Sequence, residues 1–135
     1  MSPDPDRAKA SWRKAEAHLN EAKALDPNDA PMAIIHSSYY AMFHGARAAL
    51  FQATGNAPKT HDGVIQQFGL LARNSDEKLR SAGRALNEMK DERNHADYDE
   101  TVTTSSGDAG DALHAAVNFL SVCAASFGFA TPSGS

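Results

Sequence analysis

Residues 37–51 read Ser-Ser-Tyr-Tyr-Ala-Met-Phe-His-Gly-Ala-Arg-Ala-Ala-Leu-Phe, and this stretch decides the fold. Its small and apolar residues recur at spacings of three and four, the period of an amphipathic α-helix. One side of that helix is small enough for a neighbouring helix to approach closely; its members are Ser37, Ala41, Gly45 and Ala48 or Ala49. A second side is an ordinary core stripe, made of Ile35, Tyr39, Met42, Ala46 and Leu50. The sequence therefore predicts a helix that packs on two of its sides.

The third side of this helix has a different character and carries His36, Tyr40, His44, Arg47 and Phe51. It is too polar for a core face and too aromatic for an ordinary solvated face. We expect it to meet a partner subunit, a ligand or the polar end of another helix. The residues alone leave these three alternatives open.

Helical spacing recurs along the rest of the chain, and no clear alternation typical of a β-strand interrupts it. The predicted fold class is therefore all-α, with four to five helices. The first helix is expected to start at Asp4 with Pro5 in its first turn, and to carry Trp12 into the core. The second opens near Asp29 and ends before Gly55.

The later helix boundaries are predicted from capping residues. Thr60 is a plausible N-cap for a short third helix, and Asn74 followed by Glu77 resembles a capping box that opens the fourth. The polar residues 101–110 are expected to form a flexible loop, with the last helix starting near Asp111. Residues 5–128 then form one domain, and residues 129–135 a disordered tail.

The bulk composition excludes several classes of protein. A formal net charge of −4 over 135 residues is not that of a generally basic nucleic-acid or membrane binder, so any nucleic-acid contact must be local. No apolar run approaches the roughly 20 residues of a membrane span, and the N-terminus lacks a signal pattern. We expect a cytoplasmic protein without membrane contact. The single cysteine, Cys123, lies among small apolar residues, which favours a buried inert thiol.

Residues 93–99, Arg-Asn-His-Ala-Asp-Tyr-Asp, form the second informative stretch. The apolar stripe of the fourth helix runs directly into Arg93; its members are Leu79, Ala82, Leu86 and Met89. An inward-leaning arginine needs an acceptor, which Asp97, a helix C-terminus or a bound phosphate would supply. His95 is the best acid–base candidate because its unperturbed pKa is about 6.5, although a structural histidine is the commoner case.

A metal site is not expected. Glu92 and His95 have the Glu-x-x-His spacing of half a di-iron site, but the sequence holds no second copy. The acidic run 97–100 lacks the glycine and the length of a calcium loop. We therefore predict no metal and no cofactor.

Taken in this order, the motifs resemble the HEPN domain, a small helical bundle of prokaryotic defence and toxin–antitoxin systems. The resemblance rests on the central helix, on Pro-Lys-Thr-His at 58–61 before a short helix containing Phe68, and on Arg93 followed by Ala-Asp-Tyr-Asp at 96–99. It spans about residues 5–128. It implies an up-and-down bundle and a homodimer, in which the arginine-bearing helix ends of two subunits face each other across a cleft.

Active members of this family resemble metal-independent ribonucleases. Their arginine stabilises the charged phosphorane, and a histidine a short gap further on transfers the proton. This chain has Arg93 and the polar Asn94, but Tyr98 stands where the histidine is first expected. A tyrosine with a pKa of about 10 is a weak base at neutral pH, and His95 follows Arg93 so closely that it points away around the helix.

The sequence thus supports three functions. The first is a dimeric HEPN-type binding module of a toxin–antitoxin or defence system, with a cleft for a nucleotide or RNA phosphate, or for an antitoxin or nucleotidyltransferase-type partner. Its expected lining residues are Arg93, Asn94, Asp97, Tyr98, Tyr40, His44 and Arg47. The second is a metal-independent endoribonuclease toxin that uses Arg93 with His95 or Tyr98. The third is a structural dimer without a ligand.

Overall fold

The computed structural model describes residues 2–98 and 103–132, apart from the side chains of residues 95–98. This part of the chain contains five helices and no strand, which confirms the all-α prediction: α1 (Pro5–Ala24), α2 (Pro31–Thr54), α3 (His61–Arg73), α4 (Glu77–Tyr98) and α5 (Ser106–Phe127). Each helix packs on the next one along the chain. None of these helices combines the length and the apolar character that crossing a membrane requires.

Helix α2 lies at the centre of the bundle and contacts each of the other four helices. Its core stripe and its stripe of small residues are both buried, as predicted. At Gly45 the small stripe meets α5, where a Cβ would lie 2.5 Å from Cδ2 of Leu120 and 3.4 Å from the ring of Phe119. The missing side chain at Gly45 therefore sets how closely α5 can approach α2.

The predicted boundaries of the first three helices agree with the caps of the structure. The Asp4 carboxylate accepts a hydrogen bond from the backbone N–H of Arg7 at 3.1 Å. Gly55 closes α2 in the left-handed region with φ 80°, a conformation that glycine adopts without strain. The Thr60 hydroxyl accepts from the backbone N–H of Gly63 at 3.0 Å, so α3 begins where the sequence placed it.

The predicted capping box of α4 is wrong. Asn74 is instead the C-cap of α3. The side chain of Asp76 accepts from the backbone N–H of Leu79 at 2.9 Å and caps α4. The connection between α3 and α4 is so short that the end of one helix occupies the position expected to start the next.

The predicted start of α5 is also wrong, because the helix begins at Ser106 rather than near Asp111. Ser105 and Asp108 form a reciprocal capping box, in which each side chain accepts from the other residue's backbone N–H at 3.1 and 3.0 Å. Ala109 is fully buried. Residues 106–110 are therefore helical despite their polar composition, while 101 and 102 lie outside the described residues.

The segment after α5 contacts the first helix. Phe129 stacks on Trp12 with the ring centroids 4.5 Å apart, and Trp12 Nε1 donates to the Ala130 carbonyl at 3.2 Å. Trp12 is 4% exposed, which confirms its position in the core. Phe129 and Ala130 belong to the segment predicted as a disordered tail, and residues 133–135 lie outside the described part of the chain.

Cys123 is buried in the core, as predicted. Burial raises the pKa of its thiol. Since the thiolate is the reactive form, the position does not favour nucleophilic chemistry.

Candidate functional site

Arg93 lies one turn beyond the apolar stripe of α4, which is buried as predicted. Its guanidinium carbon stands 4.9 Å from the ring centroid of Tyr39 and 5.8 Å from that of Tyr40. Its Nη2 donates to the side-chain oxygen of Asn94 at 3.1 Å. The stripe thus carries Arg93 against α2, where two tyrosine faces receive its charge through cation–π contacts.

His61, the first residue of α3, lies against the same two tyrosines. Its ring centroid is 5.5 Å from that of Tyr39 and 5.7 Å from that of Tyr40, and its Nδ1 is 2.7 Å from the Tyr39 hydroxyl oxygen. Phe43 stacks on the imidazole at 4.2 Å with an interplanar angle of 15°, which holds the plane of the ring. Arg93 and His61 therefore share one pair of tyrosines although they come from different helices.

The environment settles the protonation of the Tyr39–His61 pair. Burial raises the pKa of Tyr39 to about 12, so its hydroxyl keeps its proton at neutral pH. Burial, followed by the charges of Arg93 and Lys90, lowers the pKa of His61, so its imidazole is neutral at pH 7. Among the described residues, the buried Tyr39 hydroxyl has no other hydrogen-bond partner, so we assign it as the donor and Nδ1 as the acceptor, which leaves the ring proton of His61 on Nε2.

A second group of rings extends from Tyr40 toward α1. His18 stacks on His44 with centroids 5.3 Å apart and planes 2° apart, and lies 5.7 Å from the Tyr40 ring. The pKa of His44 is lowered to about 4, first by burial and then by the neighbouring charges of His18, Lys14, Arg47 and His61. Among the described residues, the buried Nδ1 of His44 has no hydrogen-bond partner. His44 is therefore neutral at pH 7.

We call His18, Tyr39, Tyr40, His44, His61 and Arg93 the histidine–tyrosine cluster. Helices α1, α2, α3 and α4 each supply at least one member. Tyr40 and His44 belong to the polar third side of α2, and both face His18 of α1. Of the three alternatives for that side, contact with the polar end of another helix is observed at Tyr40, which lies against His61 at the start of α3.

Arg47, also on the third side of α2, makes its described contacts within the fold. Its Nη1 donates to the backbone carbonyl of Pro58. Its guanidinium carbon stands 5.9 Å from the centroid of Phe43 and 5.4 Å from that of Phe51. The sequence predicts Arg47 as a ligand-binding residue; in the structure its bond to Pro58 ties α2 to the connection that leads to α3.

The structure brings several predicted site residues together: Arg93 contacts Asn94 and Tyr40, and Tyr40 and His44 both contact His18. The side chains of His95, Asp97 and Tyr98 lie outside the described residues, so their roles stay predictions. Within the side chains that the structure describes, no group of three or more histidine, cysteine, aspartate or glutamate residues is arranged to hold a metal ion.

Sequence reasoning missed His61 and His18 and treated Tyr39 as core alone. A signal for His61 was present, because it directly follows the helix cap at Thr60 within the Pro-Lys-Thr-His motif. No spacing rule connects residue 61 with residue 93, since they lie on separate helices. The pair becomes visible only when both helices pack on α2.

Comparison with known proteins gives a family and three relatives. A family model of the HEPN domain matches residues 8–126. The chain is 38% identical over 84 residues to a Methanocaldococcus jannaschii protein named as a candidate toxin, covering 62% of each chain. It is 29% identical over 110 residues to a UPF0332 protein of Thermotoga maritima, covering 81% of this chain and 83% of the relative. It is 37% identical over 71 residues to a UPF0332 protein of Pyrococcus horikoshii, covering 53% and 49%.

The matches differ in how much of each protein they cover. The matched segment spans less than two thirds of the Methanocaldococcus protein and about half of the Pyrococcus protein. The family model covers most of this chain and includes every member of the histidine–tyrosine cluster. The motifs and the helical bundle agree with that match, and the chain therefore belongs to the HEPN domain family.

Proposed function

We propose that this chain is a HEPN-family component of a toxin–antitoxin or defence system whose Arg93 site binds a phosphate of RNA or of a nucleotide. The placement of Arg93 on the rings of Tyr39 and Tyr40, close to His61, carries the proposal. A guanidinium fixed in this way presents planar donors that match phosphate geometry. The family and the similarity to a protein named as a candidate toxin support the assignment to such a system.

The proposal includes a homodimer in which two Arg93 sites face each other across a cleft, with an antitoxin or a nucleotidyltransferase-type protein as a further partner. Asn94, Asp97 and Tyr98, at the same end of α4, are the other proposed lining residues. Sedimentation equilibrium should give the mass of two chains. A mass of one chain at micromolar concentration would overturn the shared cleft.

The phosphate site is tested by titrating the protein with a short single-stranded RNA and with a mononucleotide at several salt concentrations. Binding should be saturable, and salt should weaken it. Arg93→Ala should reduce affinity roughly 10- to 100-fold, the usual effect of losing a charged hydrogen bond. Arg84→Ala is the matched control, because Arg84 lies on the same helix but pairs with Glu77 in solvent.

The test separates binding from folding. Both variants should melt within a few degrees of the parent protein, since neither arginine belongs to the apolar core. Equal loss of affinity in Arg84→Ala, or no saturable binding of either probe by the folded parent protein, would contradict the proposal and leave the structural dimer as the better description.

A metal-independent endoribonuclease is the second candidate. The observation that favours it is an imidazole, His61, beside the same tyrosines as Arg93, in addition to His95 and Tyr98 of the predicted motif. Purified protein should then cleave RNA in excess EDTA, and Arg93→Ala should abolish cleavage. Intact RNA after prolonged incubation with the parent protein would exclude this activity.

A further inference from the structure

We infer that His61 and Arg93 hold one phosphodiester group of RNA together, and that His61 takes up a proton from solvent when the phosphate binds. The inference rests on the proposed phosphate site and names a second phosphate-binding side chain on a different helix. It goes beyond Arg93, which belongs to α4.

The geometry places both donors against the same pair of tyrosines. Arg93 and His61 each lie within 6 Å of both tyrosine centroids, at 4.9 and 5.8 Å for Arg93 and at 5.5 and 5.7 Å for His61. Both side chains are half-buried, and so is Tyr40, so the surface is open to a ligand. With the Tyr39 hydroxyl on Nδ1, the N–H of His61 is on Nε2, which is available for a phosphate oxygen.

The local charge favours an anion, although the whole chain is acidic. Burial is the main cause of the lowered pKa of His61, and the positive charges of Arg93 and Lys90 lower it further. The groups around this imidazole are Tyr39, Tyr40 and His44 on α2, His18 beyond Tyr40 on α1, Asp62 on α3, and Lys90 and Arg93 on α4. The carboxylate Asp62 is already paired with Lys90. A bound phosphate would therefore supply the negative charge that stabilises protonated His61.

The Tyr39 hydroxyl can change from hydrogen-bond donor to acceptor when His61 takes up the proton. In the free protein its hydroxyl donates to Nδ1, whereas in the complex the protonated Nδ1 donates to the hydroxyl oxygen and Nε2–H donates to the phosphate. The ring keeps its place in both states because Phe43 remains stacked on it. Tyr39 is thus a positioning residue.

The test uses a short single-stranded RNA with a 5′-hydroxyl end, because its phosphodiesters do not titrate between pH 5.5 and 8. Affinity should rise as pH falls, by up to about tenfold per pH unit for one linked proton. His61→Gln keeps an N–H donor but cannot titrate, so it should retain the binding at high pH and lose the pH dependence. His114→Gln, on exposed α5 surface, should behave like the parent protein.

A titration of the unmodified protein tests the inference without depending on the folding of a variant. Nitrogen NMR of His61 should show its pKa rising when RNA is added. Three results would overturn this inference. One is a pH dependence of RNA affinity that remains in His61→Gln, and another is its loss in His18→Gln or His44→Gln instead. The third is a His61 resonance whose pKa does not change when RNA is added. In that case the proposed phosphate site would still be supported if Arg93→Ala loses RNA binding. If the parent protein does not bind RNA at all, both proposals are wrong.

Discussion

Tyr39 shows how one residue can belong to the core and to a site at once. Its side chain is fully buried, as the core stripe of α2 predicts, yet its hydroxyl reaches His61 at 2.7 Å. Burial of a tyrosine with its hydroxyl hydrogen-bonded costs little, whereas an unpaired hydroxyl would be expensive. The same bond that satisfies the core therefore fixes the tautomer of His61.

His44 makes folding stability depend on pH. Its pKa is about 4 in the folded protein against 6.5 for an exposed histidine, so the unfolded chain binds the additional proton. Stability should fall as pH drops from about 6.5 to about 4, by an upper bound of about 3 kcal/mol that solvent reduces for this half-buried ring. Urea unfolding of the parent protein and of His44→Gln at pH 7 and pH 4.5 measures it. Equal pH sensitivity in both proteins would show that His44 is not responsible.

At the scale of the element, the capping box of Ser105 and Asp108 decides where α5 begins. Ser105→Ala should destabilise the protein by about 1 kcal/mol, because the backbone N–H of Asp108 loses its acceptor. Ser106→Ala, one residue later and exposed, should change the free energy of unfolding far less. Equal effects in urea titrations of the two variants would argue against the cap.

The close approach of α2 and α5 gives a second prediction at this scale. Gly45→Val should cost about 1–3 kcal/mol, because its side chain meets Leu120 and Phe119. Gly69→Ala in α3 is the control, since a Cβ there meets nothing within 4 Å and a helical alanine should stabilise by about 0.5–1 kcal/mol. In thermal melting, Gly45→Val should lower the melting temperature and Gly69→Ala should raise it. A tolerated Gly45→Val would mean that α5 can move aside.

Sequence reasoning worked where local chemistry decides the structure. The helices, the two packing sides of α2 and the caps at Asp4 and Thr60 follow from spacing and residue type. The starts of α4 and α5 do not follow in this way. Asn74 has the residue type of an N-cap but ends α3, and the polar residues before Asp111 resemble a loop although Ser105 carries the capping signal. Arg93 was found from a stripe within one helix. His61 was missed because its relation to Arg93 exists only across the bundle.

At the scale of the whole molecule, the segment after α5 packs on α1, the first helix of the chain. Phe129→Ala should lower the free energy of unfolding by about 1–2 kcal/mol, because Trp12 loses its stacked partner. Trp12 is the only tryptophan, so its fluorescence should shift to longer wavelength as water reaches the ring. Thr131→Ala, at an exposed position, is the control. Unchanged emission in Phe129→Ala would show that Phe129 does not shield Trp12.

The histidine–tyrosine cluster draws its members from four helices, so no piece of the chain that lacks one of α1 to α4 contains it. A substitution deep in any of these helices can tilt one member by a fraction of an ångström, and under the proposed function it would weaken phosphate binding without a direct contact to the phosphate. Substitutions in any of the four helices can therefore change the geometry of the cluster. A protein that binds the outer side of α4 would act in the same way. Shifting that helix would move Arg93 relative to His61, which lies on α3.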